Sequence, residues 1–534
     1  MTGGQTSRSR DQRLWLCLPA LYFPREVDGF CGSKPRRKAT PYLRLFAGAL
    51  DQILYSAPMP IPVISVAQMR EWEKAAWAGG QTEAEVIRRV GKELARLTLL
   101  LTAPQDLVLI LAGKGNNGAD ARSAQEHLAD RRVELLDVQD PAAELSKLEA
   151  LLSLRPTLVV DGLFGIGINR PLDPHWIQFI SRINQARIPV LAVDVPSGLD
   201  ADTGEPHGAA IEAAVTLTIG APKLGLLKPA AWRYVNRLEV ATAVGLGPCP
   251  HTGDLEWILP EDFHGYPPPR ASATHKGTFG HLGILAGSVG YHGAAVLAAR
   301  GALRAQPGLV TLHTLENAYH VVASQLAAAM VAPWSPATNL TRDYTAVLMG
   351  PGLAARDLPD PLKRMTRQVW RDSLGPVIVD ASALDWVSAD PFPRNATRVL
   401  TPHPGEAARM LRSNVDQVQA DRVGALRNIS RQFGNAWVVL KGHQTLIGRS
   451  TGQISVNSSG NPYLAQGGSG DALAGFIGGL LAQPGLQTDP FALLRYAVWQ
   501  HGAAADRLQA VRRNWGIEEL LQELGGTASP CPRG

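Results

Sequence analysis

The stretch "LAQGGSGDALAGFIGGLLAQ", Leu464 to Gln483, decides how the second half of the chain is read. Gly467, Gly468 and Gly470 surround Ser469 and lead to one carboxylate, Asp471, after which small and apolar residues run on. Residues without Cβ let main-chain N–H groups come close to an anion. The run from Asp471 to Ala482 has helical composition, and the positive N-terminal end of such a helix favours the same anion. These features predict a phosphate cradle at a helix start. Asp471, in the first turn, is placed to act as general base on a hydroxyl near that phosphate. The plainer alternative is a glycine-rich turn with Asp471 as an ordinary cap. No Gly-Lys-Ser/Thr follows the glycines, so the stretch is not a Walker loop.

Around this stretch, short apolar runs alternate with segments of helical composition. In the second half the runs are "GHLGILAGSVG", "TAVLMGPG", "GPVIVDASAL", "TRVLTPHPGE" and "NAWVVLKGHQTLIG". In the first half they are "DLVLILAG", "RRVELLDV", "PTLVVDGLFG", "IPVLAVDVPSG" and "AAVTLTIGAPK", after a helix opened by Ser65. Buried parallel strands with crossover helices have this appearance. The expected fold class is α/β, two three-layer α/β/α domains over 61–250 and 272–525. A Pro-rich segment around Pro267, Pro268 and Pro269 is read as the linker.

With 534 residues and 45% apolar content, the chain is long enough for two or three globular domains. No run of eighteen apolar residues spans a bilayer, so no membrane partner is expected. Cys17, Cys31, Cys249 and Cys531 are scattered and form no CxxC pair, which favours a reducing, cytoplasmic setting. The formal charge of +5 sits in residues 1–58, where nine basic residues face four acidic ones. The remainder is neutral, unlike a nucleic-acid binder with its basic excess on a folded face. Residues 1–60 are expected to be a poorly ordered extension, with an over-extended reading frame ahead of Met59 as one reading of it.

Three strand ends in the first half carry polar groups. "AGKGNNGADA" supplies Asn116, Asn117 and Asp120; "DGLFGIGINRPL" opens on Asp161; "VDVPSGLDADTG" contains Asp194. The crevice beyond strand carboxyl ends is where open α/β sheets hold ligands. Carboxylates gathered there suit a hard cation with oxygen ligands or proton transfer.

The motifs "GKGNNGAD", "DGLFGIG", "VDVPSGLDADTG" and "TLTIGAPKLGLL" resemble the YjeF N-terminal domain, the NAD(P)H-hydrate epimerase, which is Rossmann-like. "HKGTFGHLGILAGSVGYHGAA", "MGPGL", "TPHPGEA", "LKGHQT" and "GGSGDALAG" resemble the ribokinase-like NAD(P)H-hydrate dehydratase. The resemblance covers about residues 62–520, in the order of the fused bifunctional repair family.

The epimerase resemblance implies a potassium ion held by Asn117, Asp161 and Ser197. It implies substrate contacts from Asn116, Asn117, Gly118, Ala119 and Asp120, and from Gly165, Ile166, Gly167, Ile168, Asn169, Arg170 and Pro171. Asp194 is the expected proton-transfer group. Ala119 and Ala121 stand where the family usually has glycine; a positive φ at 119 would cost an alanine roughly 1 kcal/mol. "AEVIRRVGKELA" also departs from the family's usual LMENAG-type helix.

The dehydratase resemblance makes Asp471 the catalytic base. Lys441, Gly442, His443, Gln444, Thr445 and Gly470 are then expected at ADP or ATP, with Mg²⁺. Ala294, Gly352 and His403 are expected beside the hydrated dinucleotide. Ser382 occupies the place of a second aspartate in the family's VDADAL. The implied partners are the hydrates of NADH and NADPH, adenine nucleotide, and copies of the chain in a homo-oligomer. The alternative is a ribokinase-like small-molecule kinase carrying a non-catalytic first domain.

Overall fold

The computed structural model describes residues 60–389, 391–393 and 395–526. The extension expected over 1–60 lies outside these, apart from Pro60.

The first half opens with β1 (Ile61–Pro62), α1 (Val66–Ala78) and α2 (Glu83–Leu101). It continues with β2 (Leu107–Ala112), α3 (Asn116–Ala124), β3 (Arg132–Asp137), α4 (Pro141–Ser153) and β4 (Leu158–Gly162). Then come α5 (Pro174–Ala186), β5 (Val190–Val193), β6 (Val215–Ile219), α6 (Trp232–Val235) and β7 (Arg237–Ala241). Strands β2 to β7 form one parallel sheet in the order β3-β2-β4-β5-β6-β7. Strands β4 and β5 are buried along their whole length, because helices cover both faces. Ser65 caps α1 through a hydrogen bond to Gln68 N, as the sequence predicts.

The second half contributes β8 (Leu255–Trp257), β9 (His281–Leu285), α7 (His292–Arg304), β10 (Leu309–Thr314) and α8 (Glu316–Ala323). Next are β11 (Met330–Pro333), β12 (Ala346–Met349), α9 (Asp360–Asp372), β13 (Val377–Val379) and β14 (Arg398–Leu400). After α10 (Pro404–Met410), α11 (Val415–Ala420) and α12 (Arg422–Gln432) come β15 (Trp437–Leu440), β16 (Leu446–Gly448) and β17 (Ile454–Val456). The last described helices are α13 (Ser469–Leu481), α14 (Pro490–Val511) and α15 (Ile517–Glu523). The sheet order is β1-β8-β17-β16-β15-β14-β13-β12-β9-β10-β11.

Two boundaries differ from the sequence reading. The second sheet begins before residue 272: β8 pairs with β17, and Phe263 is buried in that half's core. Prolines 267 to 269 therefore lie within this unit. Strand β1 also belongs to the second sheet, pairing antiparallel with β8. Val63 N donates to Leu255 O at 3.0 Å and Ile64 N to Pro222 O at 2.9 Å, so residues 61–64 stitch the halves together. One apolar cluster runs across them, joining Leu226, Val235 and Leu238 to Trp257, Leu440 and Val456.

Helix α13 starts at Ser469, two residues ahead of the sequence expectation, with Gly468 in the left-handed region at its N-cap. Its glycines set its distance from α7. A Cβ on Gly475 would stand 1.9 Å from Ala298 O, and one on Gly301 of α7 would stand 2.3 Å from Ala472 O. Backbone contact of this kind fixes where the first turn of α13, and Asp471 with it, is presented.

Candidate functional site

Each sheet has a place where its strand order reverses, between β2 and β4 in the first and between β9 and β12 in the second. Connections leave such a pair in opposite directions and open a crevice beyond the strand ends.

In the first crevice Asn116 to Asp120 form the start of α3. Ala119 and Ala121 are helical, so the positive φ considered for position 119 does not arise. Glycine is required at Gly118 instead, where a Cβ would meet Gly113 O at 2.0 Å. Asn117 Nδ2 donates to Phe164 O at 2.9 Å, while its buried Oδ1 has no hydrogen-bond partner. Asp161, fully buried, accepts from Ser197 N at 2.8 Å and Ser197 Oγ at 2.6 Å. Burial pushes its carboxyl up to about 6 against those hydrogen bonds. Asn117, Asp161 and Ser197 thus meet through the backbone of Phe164, whose N–H donates to Ser197 Oγ at 2.8 Å.

Asp194 directly follows β5 with φ 63°, a conformation a non-glycine residue adopts only when its surroundings over-determine it. Here they do. Its N–H donates to Leu217 O at 2.7 Å, and its Oδ1 accepts from Ile219 N at 3.1 Å. The Lys223 ammonium lies 2.5 Å from the same oxygen and also donates to Thr218 Oγ1 and Ile219 O, at 3.0 and 2.9 Å. Lys223 is completely buried. A Cβ built on Gly165 would stand 3.2 Å from Asn117 Oδ1 and 3.5 Å from Asp194 Oδ2. The bare backbone of Gly165 therefore bridges the oxygen cluster and the Lys–Asp pair. Asp120 and Glu73 complete an acidic wall; burial first, and the Asp194 charge second, raise both carboxyls. Gly167, Asn169 and Arg170 are on the exposed part of the loop after β4, with Ile166 turned toward apolar side chains.

The second half gathers its groups around Lys441 at the end of β15. Its ammonium is 2.8 Å from Asp380 Oδ1 and 3.9 Å from Glu406 Oε2. Burial alone would lower its pKa, but Asp380 and Glu406 outweigh that and raise it. Thr401 Oγ1 donates to Asp380 at 2.6 Å. A Cβ on Gly470 would lie 3.3 Å from Lys441 Nζ, so the ammonium sits against the first turn of α13. Burial raises the Asp471 carboxyl to about 6, Asp380 and Glu406 add to this, and Lys441 opposes it. Such a carboxylate changes protonation state close to neutral pH, as a general base must.

His403 caps α10: its Nδ1 accepts from Gly405 N at 3.0 Å and Glu406 N at 3.3 Å. Its Nε2 lies 3.5 Å from Glu406 Oε1. It lines a cavity of about 660 Å³ with Lys441, Gly442, His443, Gln444, Thr445, Ser469 and Gly470. Lys441 to Thr445 and Gly470, which the resemblance assigns to a nucleotide, are thus brought together, and His403, expected beside the hydrate, stands on the same wall. Ala294 and Gly352 are not among the residues lining that cavity. They meet one another at the β9/β12 crevice, where a Cβ on Gly352 would be 3.0 Å from Ala294 Cβ.

Sequence reasoning missed Lys223, Asp380 and Glu406. Each had a signal: a lysine at the end of the apolar "TLTIGAPK", an aspartate closing "VIVD", and a glutamate three residues after the cap residue His403.

Residues 282–524 match the family model for NAD(P)H-hydrate dehydratase, and residues 132–225 that for the YjeF-related protein N-terminus. The chain is 34% identical over 469 residues to a bifunctional NAD(P)H-hydrate repair enzyme of Coxiella burnetii, covering 82% of this chain and 93% of that protein. The Escherichia coli repair enzyme of the same description is 31% identical, with 86% and 92% covered. Among solved structures, a Bacillus subtilis ADP/ATP-dependent NAD(P)H-hydrate dehydratase co-crystallised with ATP and Mg²⁺ is 32% identical. It matches with a TM-score of 0.45 over 50% of this chain and 95% of its own.

Removing one member of a buried ion pair strands the other. Lys223→Met is expected to destabilise the first half by about 3–5 kcal/mol, and Lys223→Met with Asp194→Leu to recover much of that loss. Denaturant titration of the three proteins measures both.

Proposed function

The chain belongs to the family of bifunctional NAD(P)H-hydrate repair enzymes, and we propose that Asp194 with Lys223 works its epimerisation and Asp471 its dehydration. The enzyme interconverts the R and S hydrates of NADH and NADPH and dehydrates the S form at the expense of ADP or ATP. Relatives that share both halves favour this over a small-molecule kinase with an idle first domain.

The hydrate carries its hydroxyl on C6, next to the ring nitrogen. Epimerisation needs that C–O bond to break and water to add from the other face. A proton must reach the departing hydroxyl, and one must be taken from the incoming water. Asp194 is assigned this transfer. Lys223 holds its carboxylate at one angle, and the strained backbone at residue 194 aims it into the crevice. We assign the substrate contacts to the start of α3 and to Gly165 through Pro171.

Potassium fits the oxygen set of this crevice: the unpartnered Asn117 Oδ1, the Asp161 carboxylate and Ser197 Oγ. When bound, it supplies a fixed positive charge among the buried oxygens. Asp161 orients Ser197, and Asn117 ties α3 to the loop after β4.

Dehydration is harder because hydroxide leaves poorly, whereas a phosphorylated hydroxyl leaves well. Asp471 takes the C6 hydroxyl proton as the oxygen attacks the terminal phosphorus of the nucleotide. The C6–O bond then breaks, phosphate departs, and loss of a proton from C5 restores the dihydropyridine. The N–H groups at the start of α13 stabilise the charge on the phosphoryl oxygens during transfer. Lys441 keeps Asp380, Glu406 and Asp471 close together despite their like charges. Among the described residues no cluster of three or more His, Cys, Asp or Glu is arranged to hold a metal ion. That fits a Mg²⁺ that arrives with the nucleotide phosphates rather than in a protein cage.

The observation that carries this reading is the raised Asp471 carboxyl in the first turn of α13, next to Gly470, which lines the cavity together with Lys441. No described helix is long and apolar enough to cross a membrane. We assign the protein to the cytoplasm, as a homo-oligomer.

With purified hydrate and ADP or ATP, Asp471→Asn should lower the rate of NADH recovery about 10²–10⁴-fold, with epimerisation retained. Retention of near-normal dehydration would remove Asp471 from the base role. Because Asp471 must be deprotonated to act, kcat/KM for dehydration should fall about tenfold per pH unit below about 6. A profile flat through that region would contradict the assignment.

Epimerisation should depend on potassium in the wild type. Asp161→Asn should raise the potassium concentration needed for half-maximal rate. An unchanged requirement would remove Asp161 from the ion site.

A further inference from the structure

The residues that face the second half's cavity do not all come from the second half. Trp232 of α6 and Arg237 of β7 stand on its wall, with Ala214, Asn236 and Leu238 beside them. All five belong to the first domain.

The two larger side chains act on separate parts of the cavity. The Trp232 ring meets the His443 ring edge-on, centroids 5.0 Å apart at 74°. The Arg422 guanidinium lies 5.6 Å from the same Trp232 centroid and donates to Leu440 O at 3.2 Å. It also donates to His443 O. The turn Lys441–Thr445 is thereby tied to a cation of its own domain that itself packs against an indole of the other.

Arg237 Nη1 lies 3.3 Å from Asp506 Oδ2 on α14. Asp506 is buried and accepts from Gly460 N and Asn461 Nδ2, both at 2.9 Å. Gly460 and Asn461 line the same cavity. An arginine of the first domain thus compensates the carboxylate that shapes a cavity loop of the second.

We propose that the first domain completes the adenine-nucleotide site of the dehydratase, with Trp232 and Arg237 setting the affinity for ADP or ATP. The inference rests on the reading of this cavity as the nucleotide site. It assigns the two residues a positioning role, through the turn 441–445 and the loop around residue 460, rather than a part in the chemistry. Such coupling is reciprocal: nucleotide in the cavity strengthens the contact between the domains.

The test uses the full chain as wild type, Trp232→Ala, Arg237→Gln and Arg237→Lys. Calorimetry measures ADP and ATP binding; steady-state kinetics separate kcat from the KM for nucleotide and for hydrate. Trp232→Ala and Arg237→Gln are expected to raise the nucleotide Kd and KM about tenfold, with kcat and the hydrate KM within about twofold. Arg237→Lys should recover much of the loss, because it keeps the charge opposite Asp506. Epimerisation at the wild-type rate in each variant verifies that the first domain is folded. A nucleotide Kd within about twofold of wild type in both Trp232→Ala and Arg237→Gln would overturn the inference. Absence of nucleotide binding by the wild type would overturn the reading of the cavity and the inference with it, a result told apart by the unaltered protein alone.

Discussion

A lysine ammonium paired with an aspartate stands at the centre of each of the two candidate sites. Lys223 has no solvent exposure and lies 2.5 Å from Asp194; Lys441 lies 2.8 Å from Asp380 with Glu406 and Asp471 around it. Without those ammonium groups the acids would be neutral or would part, because uncompensated buried charge is costly. With them, the carboxylates stay close together. The chemistry proposed for each half depends on that arrangement.

The fold delivers both clusters by the same device. In each sheet the reversal of strand order opens a crevice, and the acids stand at or just beyond strand ends. Asp161 is the penultimate residue of β4, Asp194 follows β5, and Asp380 follows β13. Residues 61–64 add a coupling between the halves. They pair with β8 on one side, and Ile64 exchanges backbone hydrogen bonds with the Pro222–Leu224 segment that carries Lys223 on the other. The seat of a first-half lysine is thus built partly by a segment whose strand belongs to the second sheet.

Much of this is legible in the sequence, for identifiable reasons. Strands buried on both faces read as unbroken Val, Leu and Ile runs, so the α/β class and the alternation are plain. The glycines before Asp471 announce the start of α13 because they have no other use in so apolar a context. Boundaries are less legible. The prolines at 267 to 269 look like a linker, yet β8 and Phe263 place the segment before them inside the second unit. Ala119 looks like a departure that should strain a loop, but its position is helical, and the glycine that cannot be replaced is its neighbour Gly118. Lys223 and Asp380 were passed over because a single charged residue after a strand looks like a solvated turn. Only the three-dimensional structure reveals which acid each one faces. The contribution of Trp232 and Arg237 was invisible, since sequence order gives no hint that one half's surface closes the other's cavity.

On the proposed assignment, two Lys–Asp clusters perform two separable reactions in one chain. The most direct measurement is the extent, rather than the rate, of NADH recovery from an equilibrium mixture of the hydrate epimers, with excess nucleotide, in wild type and Asp194→Asn. Recovery is followed by the near-ultraviolet absorbance of the reduced ring. The wild type is predicted to convert the whole mixture. Asp194→Asn is predicted to convert the S share at the normal rate and then stall, advancing only as fast as the epimers interconvert unaided. Complete conversion by Asp194→Asn at the wild-type rate would contradict the account.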